Sequence, residues 1–368
     1  MNERIKVKFN VPNRKFRNDK SLVKRVAKLI ETGPYLNGLE IERFENKFAE
    51  FIGAKYCIAV GSGSSALDLA INSLELPKGS EILLNAHAGG YGSIAAVKNG
   101  MRPKYFDIKN DATPCFESFK KFASRKTRAV ILTNLYGQSD DFRKFFSYCK
   151  ENQIFIIEDC AQSVGAYYTN SVKRAGSKSD ISTFSFYPTK NFATIGDAGA
   201  ILTSNAKLRN RIRSLRQYGW TEKYHATFSE GSNYRMDEIH ALVLRHQISK
   251  IDFLNSKRLK IWKSYNCAIS GDSIQLLGKP DKSFVAHLAV LKSTKIELVK
   301  KILLNNGIET GVHYPYPDYN QPAFSKFKDY ELNNTEQHCS SIISIPMFPE
   351  LFKSEINFVL KALRKILV

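Results

Sequence analysis

Between residues 55 and 205 the chain alternates short apolar runs with longer stretches whose apolar positions recur every three or four residues. "YCIAV", "EILLNA", "PKYFDI", "RAVILTN", "QIFIIED", "DISTFSF" and "GAILTS" predict strands, and "SSALDLAINSLEL" and "DDFRKFFSYCKEN" predict helices between them. Strands this uniformly apolar are buried on both faces. Their alternation with helices predicts an α/β fold, a mostly parallel sheet flanked by helices. Near residue 250 the pattern changes. "MDEIHALVLRHQISKIDFLNSKRLKIWKSY" predicts one long helix, "FVAHLAVL" a strand, and "KIELVKKILLNN" a helix that ends at Gly307. The expected organisation is an N-terminal arm with a large α/β domain over residues 1–250, and a smaller C-terminal α+β domain over 251–368 onto which the arm packs.

Composition narrows the class. No apolar run approaches the roughly 20 residues needed to span a bilayer. The opening "MNERIKVKFNVPNRKF" is charged from the start and lacks the apolar core of a signal peptide, so a cytoplasmic location is expected. The six cysteines are scattered without a CxxC pair, which speaks against both a metal site and a disulfide framework. Cys57 and Cys160 fall in apolar strands and read as buried free thiols.

The net charge of +20 is concentrated in places. Residues 1–28 carry ten basic residues, Arg4 among them, against Glu3 and Asp19, and "KLRNRIRSLRQ" carries five with no acid. Nucleic-acid binding, an anionic small substrate and a lysine-rich composition all fit such a surface. No zinc-finger, RNA-recognition or helix-turn-helix signature accompanies the charge, so no nucleic-acid partner is expected.

Three stretches carry candidate chemistry. In "CIAVGSGSSALDLAI" a strand enters Gly61, Ser62, Gly63, Ser64 and Ser65 and leaves as a helix. Glycines free the backbone to turn, and helix N-terminal N–H groups attract anions, so phosphate is the natural ligand; a plain turn and N-cap is the alternative. The stretch matches neither the GxSxG nucleophile elbow nor the P-loop. In "QIFIIEDCAQSVGA" Glu158 and Asp159 arrive at the C-terminal end of a buried strand, where parallel sheets bind ligands. A carboxylate there needs a cation or a protonated ring nitrogen, or else serves as an N-cap. "STFSFYPTKNFATIGDAGA" sets Lys190 among aromatics and glycines, five residues after Ser185 and 31 after Asp159. It is either an exposed loop lysine or a desolvated, nucleophilic amine. A fourth stretch, "GSNYRMDEIHALVL", places Asn233 on a loop and Asp237 at a helix start, and alone declares no chemistry.

A phosphate cradle, an acid at a strand end and a poised lysine, in that order, are the parts that pyridoxal 5'-phosphate requires. The stretches resemble the DegT/StrS family of sugar aminotransferases. The resemblance runs from "GPYLNGLEIERFENKFAEFIGAKYCIAVGSGSSAL" through "LYGQSDDF", "IIEDCAQSVGA", "SFYPTKN", "GDAGA" and "NYRMDEIHA" to "GIETGVHYPYPDYNQPAF" and "SIPMFP".

That resemblance implies the aspartate-aminotransferase (type I) fold and a pyridoxal-phosphate-dependent transaminase, with pyridoxamine 5'-phosphate as the intermediate cofactor form. It implies transfer of an amino group from glutamate to a nucleotide-linked keto-deoxysugar, in lipopolysaccharide, O-antigen or glycosylated-metabolite synthesis. Lys190 would form the Schiff base and shuttle the proton, Asp159 would pair with the ring nitrogen, and Gln162 would sit near the ring's phenolic oxygen. Gly63, Ser64, Ser65 and Ser185 would hold the phosphate. Asn233 would reach the phosphate of a second copy, which implies a homodimer with shared active sites. His313 and Tyr314 match the substrate-side loop. Relatives with histidine at the lysine position act as dehydratases, which the presence of Lys190 speaks against. An aromatic-rich "TF-A-T" stretch of many relatives is "NAHAGGYGS" here, making Tyr91 the candidate ring-stacking residue and His87 the second choice. A histidine often found after "HYP" is Tyr319 here. Amination of an inositol-like ketone and a non-catalytic, nucleic-acid-binding member of the fold stand as alternatives.

Overall fold

The computed structural model describes residues 5–269 and 273–366, so Glu3 and Arg4 of the basic arm lie outside the described residues. All seven predicted strands of the first part form: β1 (Tyr56–Val60), β2 (Glu81–Asn85), β3 (Arg102–Phe106), β4 (Thr127–Thr133), β5 (Phe155–Asp159), β6 (Ile181–Ser185) and β7 (Gly199–Thr203). They make one sheet in the order β1-β7-β6-β5-β4-β2-β3. β3, β2, β4, β5 and β6 run parallel, while β7 is antiparallel to both β6 and β1. β1 therefore points the same way as β6, and the C-terminal ends of β1, β4, β5 and β6 share one edge with the N-terminal end of β7.

The period of two along each strand sends successive side chains to opposite faces. Leu83, Val130, Leu132 and Ile156 pack in one core cluster with Phe48 and Phe184. Their neighbours Ile82, Leu84, Ile131 and Ile157 pack in another with Leu67 and Ala70 of the Gly63–Ser73 helix. Both faces are thus covered, which is why the strands read as unbroken apolar runs.

A short hairpin of β8 (Trp220–Glu222) and β9 (His225–Ala226) follows. The three-stranded antiparallel sheet β10 (Ile274–Leu276), β11 (Ala289–Ser293) and β12 (Ile342–Ile345) is flanked by helices Ile251–Ala268, Ile296–Asn305 and Lys353–Leu363. Val7 is buried in this third core with Trp262 and Leu291, and it bridges to Ile308, so the arm packs on the C-terminal part.

Two expectations change. The long helix is two helices, Glu238–Gln247 and Ile251–Ala268, joined by a 3-10 turn at Ile248–Lys250. Only the second half of "FVAHLAVL" is a strand. Val285 and His287 give their N–H groups to the carbonyls of Gly137 and Tyr136 at 2.9 and 3.0 Å, which bends this stretch onto the large sheet's loops. All six cysteines are free, with Cys57 and Cys160 buried. Among the described residues no helix is long and apolar enough to cross a membrane.

Candidate active site

A cavity of about 600 Å³ opens at the C-terminal edge of the sheet, where open α/β sheets bind ligands. β1 delivers the first part. The Ser62 hydroxyl accepts from the Ser65 N–H at 3.0 Å and caps the Gly63–Ser73 helix. Gly63 and Ser64 line the cavity at that N-terminus, where unpaired N–H groups and the helix dipole favour an anion. Ser185, at the end of β6, lies against them. A Cβ on Gly63 would stand 2.7 Å from the Ser185 Cβ, so only glycine lets the two pieces close into one cradle.

β5 delivers Asp159, 7% exposed and on the cavity wall. Its Oδ1 accepts the Ala161 N–H at 3.0 Å. Burial pushes its carboxyl up, while that N–H and the Lys190 charge pull it down. Lys190 follows β6 on a turn closed by its N–H to the Tyr187 carbonyl at 2.8 Å, and it lines the same cavity. Burial pulls its amine down to about 8 against the opposing effect of Asp159. At neutral pH this lysine has an accessible free-base form, and an ordinary surface lysine does not. The next residue, Asn191, is buried and donates to the Val285 carbonyl and to Asn255 Oδ1 at 2.8 and 2.9 Å, which holds the lysine turn on both parts of the chain.

The far wall comes from the stretch after β11. His313 stacks on Phe9 with ring centroids 5.4 Å apart, and its Nδ1 lies 3.0 Å from Ser344 Oγ. Gln162 bridges two groups. Its Oε1 accepts the Tyr136 N–H at 2.7 Å and its Nε2 reaches the Tyr314 hydroxyl at 3.3 Å. Tyr136 in turn donates its hydroxyl to the His313 carbonyl at 2.6 Å. Tyr91 starts the Tyr91–Lys98 helix with its ring edge-on to Tyr314 at 6.3 Å. His87 is fully buried behind this wall, its Nε2 accepting the Tyr314 N–H at 2.8 Å, so of the two ring-stacking candidates Tyr91 is the one that lines the cavity.

The fold brings Gly63, Ser64, Tyr91, Asp159, Gln162, Ser185, Lys190, His313 and Tyr314 to one cavity. Two expected site residues stand outside it. Ser65 hydrogen-bonds Ser62, hydroxyl to hydroxyl at 2.8 Å, and Asn233 is exposed on a loop bridged to Gln217. Tyr319 is core, 1% exposed, its hydroxyl on Glu336 at 3.0 Å. Phe9, Asn10 and His287 line the cavity without having been singled out in the sequence. A lone aromatic, amide or histidine gives no local signal of a site.

The donor set fits pyridoxal phosphate. A helix N-terminus with serine hydroxyls would receive its phosphate, a buried carboxylate its ring nitrogen, and an amine lowered to about 8 its aldehyde. The basic cluster after β7 is largely spent on the protein itself. Arg209 lies over the Tyr56 ring, Arg211 pairs with Glu75 at 3.3 Å, and Arg216 pairs with Glu45 at 2.8 Å.

A mostly parallel sheet with a lysine, a carboxylate and a phosphate cradle on its C-terminal edge defines an aminotransferase-type fold. Among solved structures, S. venezuelae DesV in complex with ketimine intermediate superposes with a TM-score of 0.93 at 29% identity over 98% of both chains. The Bacillus subtilis protein ntda with bound cofactor pmp superposes at 0.89 with 25% identity, over 96% of this chain and 83% of that one. The family model described as the DegT/DnrJ/EryC1/StrS aminotransferase family matches residues 17–364, and the chain belongs to that family. The dTDP-3-amino-3,6-dideoxy-alpha-D-galactopyranose transaminase of Aneurinibacillus thermoaerophilus is 35% identical over 352 residues, 95% of this chain and 96% of that protein.

Proposed function

We propose that the protein is a pyridoxal-phosphate-dependent transaminase that moves an amino group from glutamate to the C3 ketone of a nucleotide-linked keto-deoxysugar. The observation that carries the reading is Lys190 on the wall shared with Asp159, its amine lowered to about 8 by burial. Pyridoxal phosphate, when bound, would supply the electron sink that takes up the electron pair left on a substrate carbon when a base removes its proton. The rest falls to the chain. Lys190 would hold the cofactor through its amine and, when that amine is free, would be the base that moves a proton at the reacting carbons. Asp159 would keep the ring nitrogen protonated. The Gly63–Ser73 helix N-terminus, with Ser64 and Ser185, would hold the phosphate, and the Ser62–Ser65 pair fixes that turn. Gln162 would serve the ring's phenolic oxygen and Tyr91 would cover the ring.

His313 and Tyr314 face the sugar. C3 as the position follows the 3-amino product named for the 35% identical relative. Asn233 reaches the cofactor phosphate of a second copy, in a cytoplasmic homodimer with shared sites. The product feeds surface polysaccharide, such as lipopolysaccharide O-antigen, or glycosylated metabolites.

The visible absorbance of purified protein tests the first half-reaction. A yellow band that bleaches with glutamate and is absent from Lys190→Ala protein is expected. Sugars with the ketone at C3 and at C4, offered to the aminated cofactor form, then decide the position by which one restores the band. A protein that takes up no pyridoxal phosphate overturns the reading.

A further inference from the structure

Behind Tyr91 and Tyr314 lies a carboxylate with no part in the scheme above. Asp318 begins the 3-10 turn Asp318–Asn320 and is fully buried. Its Oδ1 accepts the Ala88 N–H at 3.3 Å and its Oδ2 the Ser93 hydroxyl at 3.4 Å, one on each side of the Gly89–Gly90 turn. Its own N–H returns to the Ala86 carbonyl at 2.8 Å. Gly89 and Gly90 have φ of 76° and 80°, a left-handed pair that only glycines adopt freely. The two left-handed residues turn the chain sharply over the carboxylate, which ties down both flanks of the turn, at Ala88 and at Ser93.

The turn and the 313–321 stretch interlock. A Cβ on Gly89 would meet the Tyr314 ring at 2.8 Å, and one on Gly90 the Gln321 amide at 3.0 Å. Tyr91 follows at once, edge-on to Tyr314. The "AHAGGYGS" stretch, which departs from the aromatic-rich run, is therefore shaped from 230 residues away by an acid in "PYPDYNQ".

Resting on the aminotransferase reading, we propose that Asp318 is a positioning residue: its ionised carboxylate holds the Ala88 N–H and the Ser93 hydroxyl on the two flanks of the Gly89–Gly90 turn and so sets Tyr91 against Tyr314 on the wall that faces cofactor and sugar. Burial pushes this carboxyl up to about 7 although the N–H donors oppose it, so the turn loosens as pH falls through that value. The titratable groups that face it are Tyr105, Tyr314 and Cys339. All three are pushed well above their ordinary values by burial and stay neutral there.

Asp318→Asn keeps the shape and removes the charge. Hydrogen exchange of the amides of residues 86–93, which needs no cofactor, is expected to quicken about tenfold or more at pH 8 in the variant, while the β4 and β5 amides hold their rates. The pyridoxal phosphate dissociation constant should rise about tenfold at pH 8, and the wild-type break near pH 7 should vanish from the variant's profile. Ser93→Ala removes one donor to the same carboxylate and should move both readings the same way by less, which keeps the test open if Asp318→Asn does not fold. Unchanged exchange at 86–93, or identical pH profiles for the two proteins, overturns the proposal. A wild-type protein that takes up no pyridoxal phosphate overturns the transaminase reading instead, whatever the amides do.

Discussion

The side-chain amine of Lys15 donates to the backbone carbonyl of Lys190, 175 residues further along the chain, at 2.6 Å. The arm is also pinned at two points before this contact. Arg14 forks onto Glu355 at 2.7 and 3.0 Å, and Phe9 stacks on His313. Burial pulls the Lys15 amine from 10.5 down to about 7, aided by the Arg258 charge. Between those two values the unfolded chain holds a proton that the folded one has released, so stability rises with pH across that window. Below about 7 both states are protonated and the burial penalty is present in full. Lys15→Met keeps the apolar stem and discards the titrating amine. Melting curves from about pH 6.5 to 10 should rise for the wild type and flatten in part for the variant; parallel curves would sink this account.

The free-base fraction of Lys190 sets how fast it captures an aldehyde. Capture of pyridoxal phosphate by cofactor-free protein is expected to accelerate through pH 8 or so, given the lowered amine. Asp159 opposes that lowering, so Asp159→Asn should move the inflection to lower pH while turnover falls. Stopped-flow absorbance across pH reads both, and an inflection that moves upward contradicts the assignment. Lys190→Ala should capture none and lose turnover by at least about 10²-fold.

Gly199 opens β7 directly beside the phosphate cradle. A Cβ there would stand 2.4 Å from the Ser62 carbonyl oxygen, backbone against backbone, with no side chain able to move aside. Gly199→Ala should cost about 1–3 kcal/mol of stability by overpacking and displace the Ser62–Ser64 turn. A fluorescence titration with pyridoxal phosphate should show affinity weakened at least tenfold or so. Wild-type affinity in this variant would remove Ser62 and Ser64 from the cradle.

Tyr136 ties the far wall together with φ of 61°, its N–H on Gln162 and its hydroxyl on the His313 carbonyl. Tyr136→Phe leaves that carbonyl without its donor, at a cost of about 1–3 kcal/mol. Because His313 is proposed to face the sugar, KM for the nucleotide sugar is expected to rise while cofactor uptake stays as in the wild type. Steady-state kinetics beside a cofactor titration separates the two, and a loss confined to cofactor uptake would place Tyr136 elsewhere.

The legible parts of the fold and site share a cause. The interior strands of the large sheet are buried on both faces, so most announce themselves as apolar runs, whereas the edge strand β3 keeps Arg102 and Lys104 half-exposed on one face. Ser62 to Ser65, Asp159 and Lys190 sit at the ends of such runs, where a polar residue is conspicuous. The break at Ile248–Lys250 was hidden because both helices continue one apolar period across it. The first half of "FVAHLAVL" was hidden because its hydrogen-bond partners, Tyr136 and Gly137, lie on a distant loop.

By itself the sequence determined the α/β class, the family resemblance and the order of cradle, acid and lysine along the chain. Each of these is written in local period or local chemistry. Tertiary structure alone decided that Phe9, Asn10 and His287 line the cavity, that Tyr136 and Gln162 hold its far wall, that Lys15 rests on the lysine turn, and that Asp318 ties down the Gly89–Gly90 turn at Ala88 and Ser93. It also placed Ser65 and Asn233 outside the cavity of a single chain. The physical reason is one of range. Burial and backbone period act between neighbours in sequence, whereas the lowered amine of Lys190 and the raised carboxyl of Asp318 come from desolvation by segments that only the fold brings together.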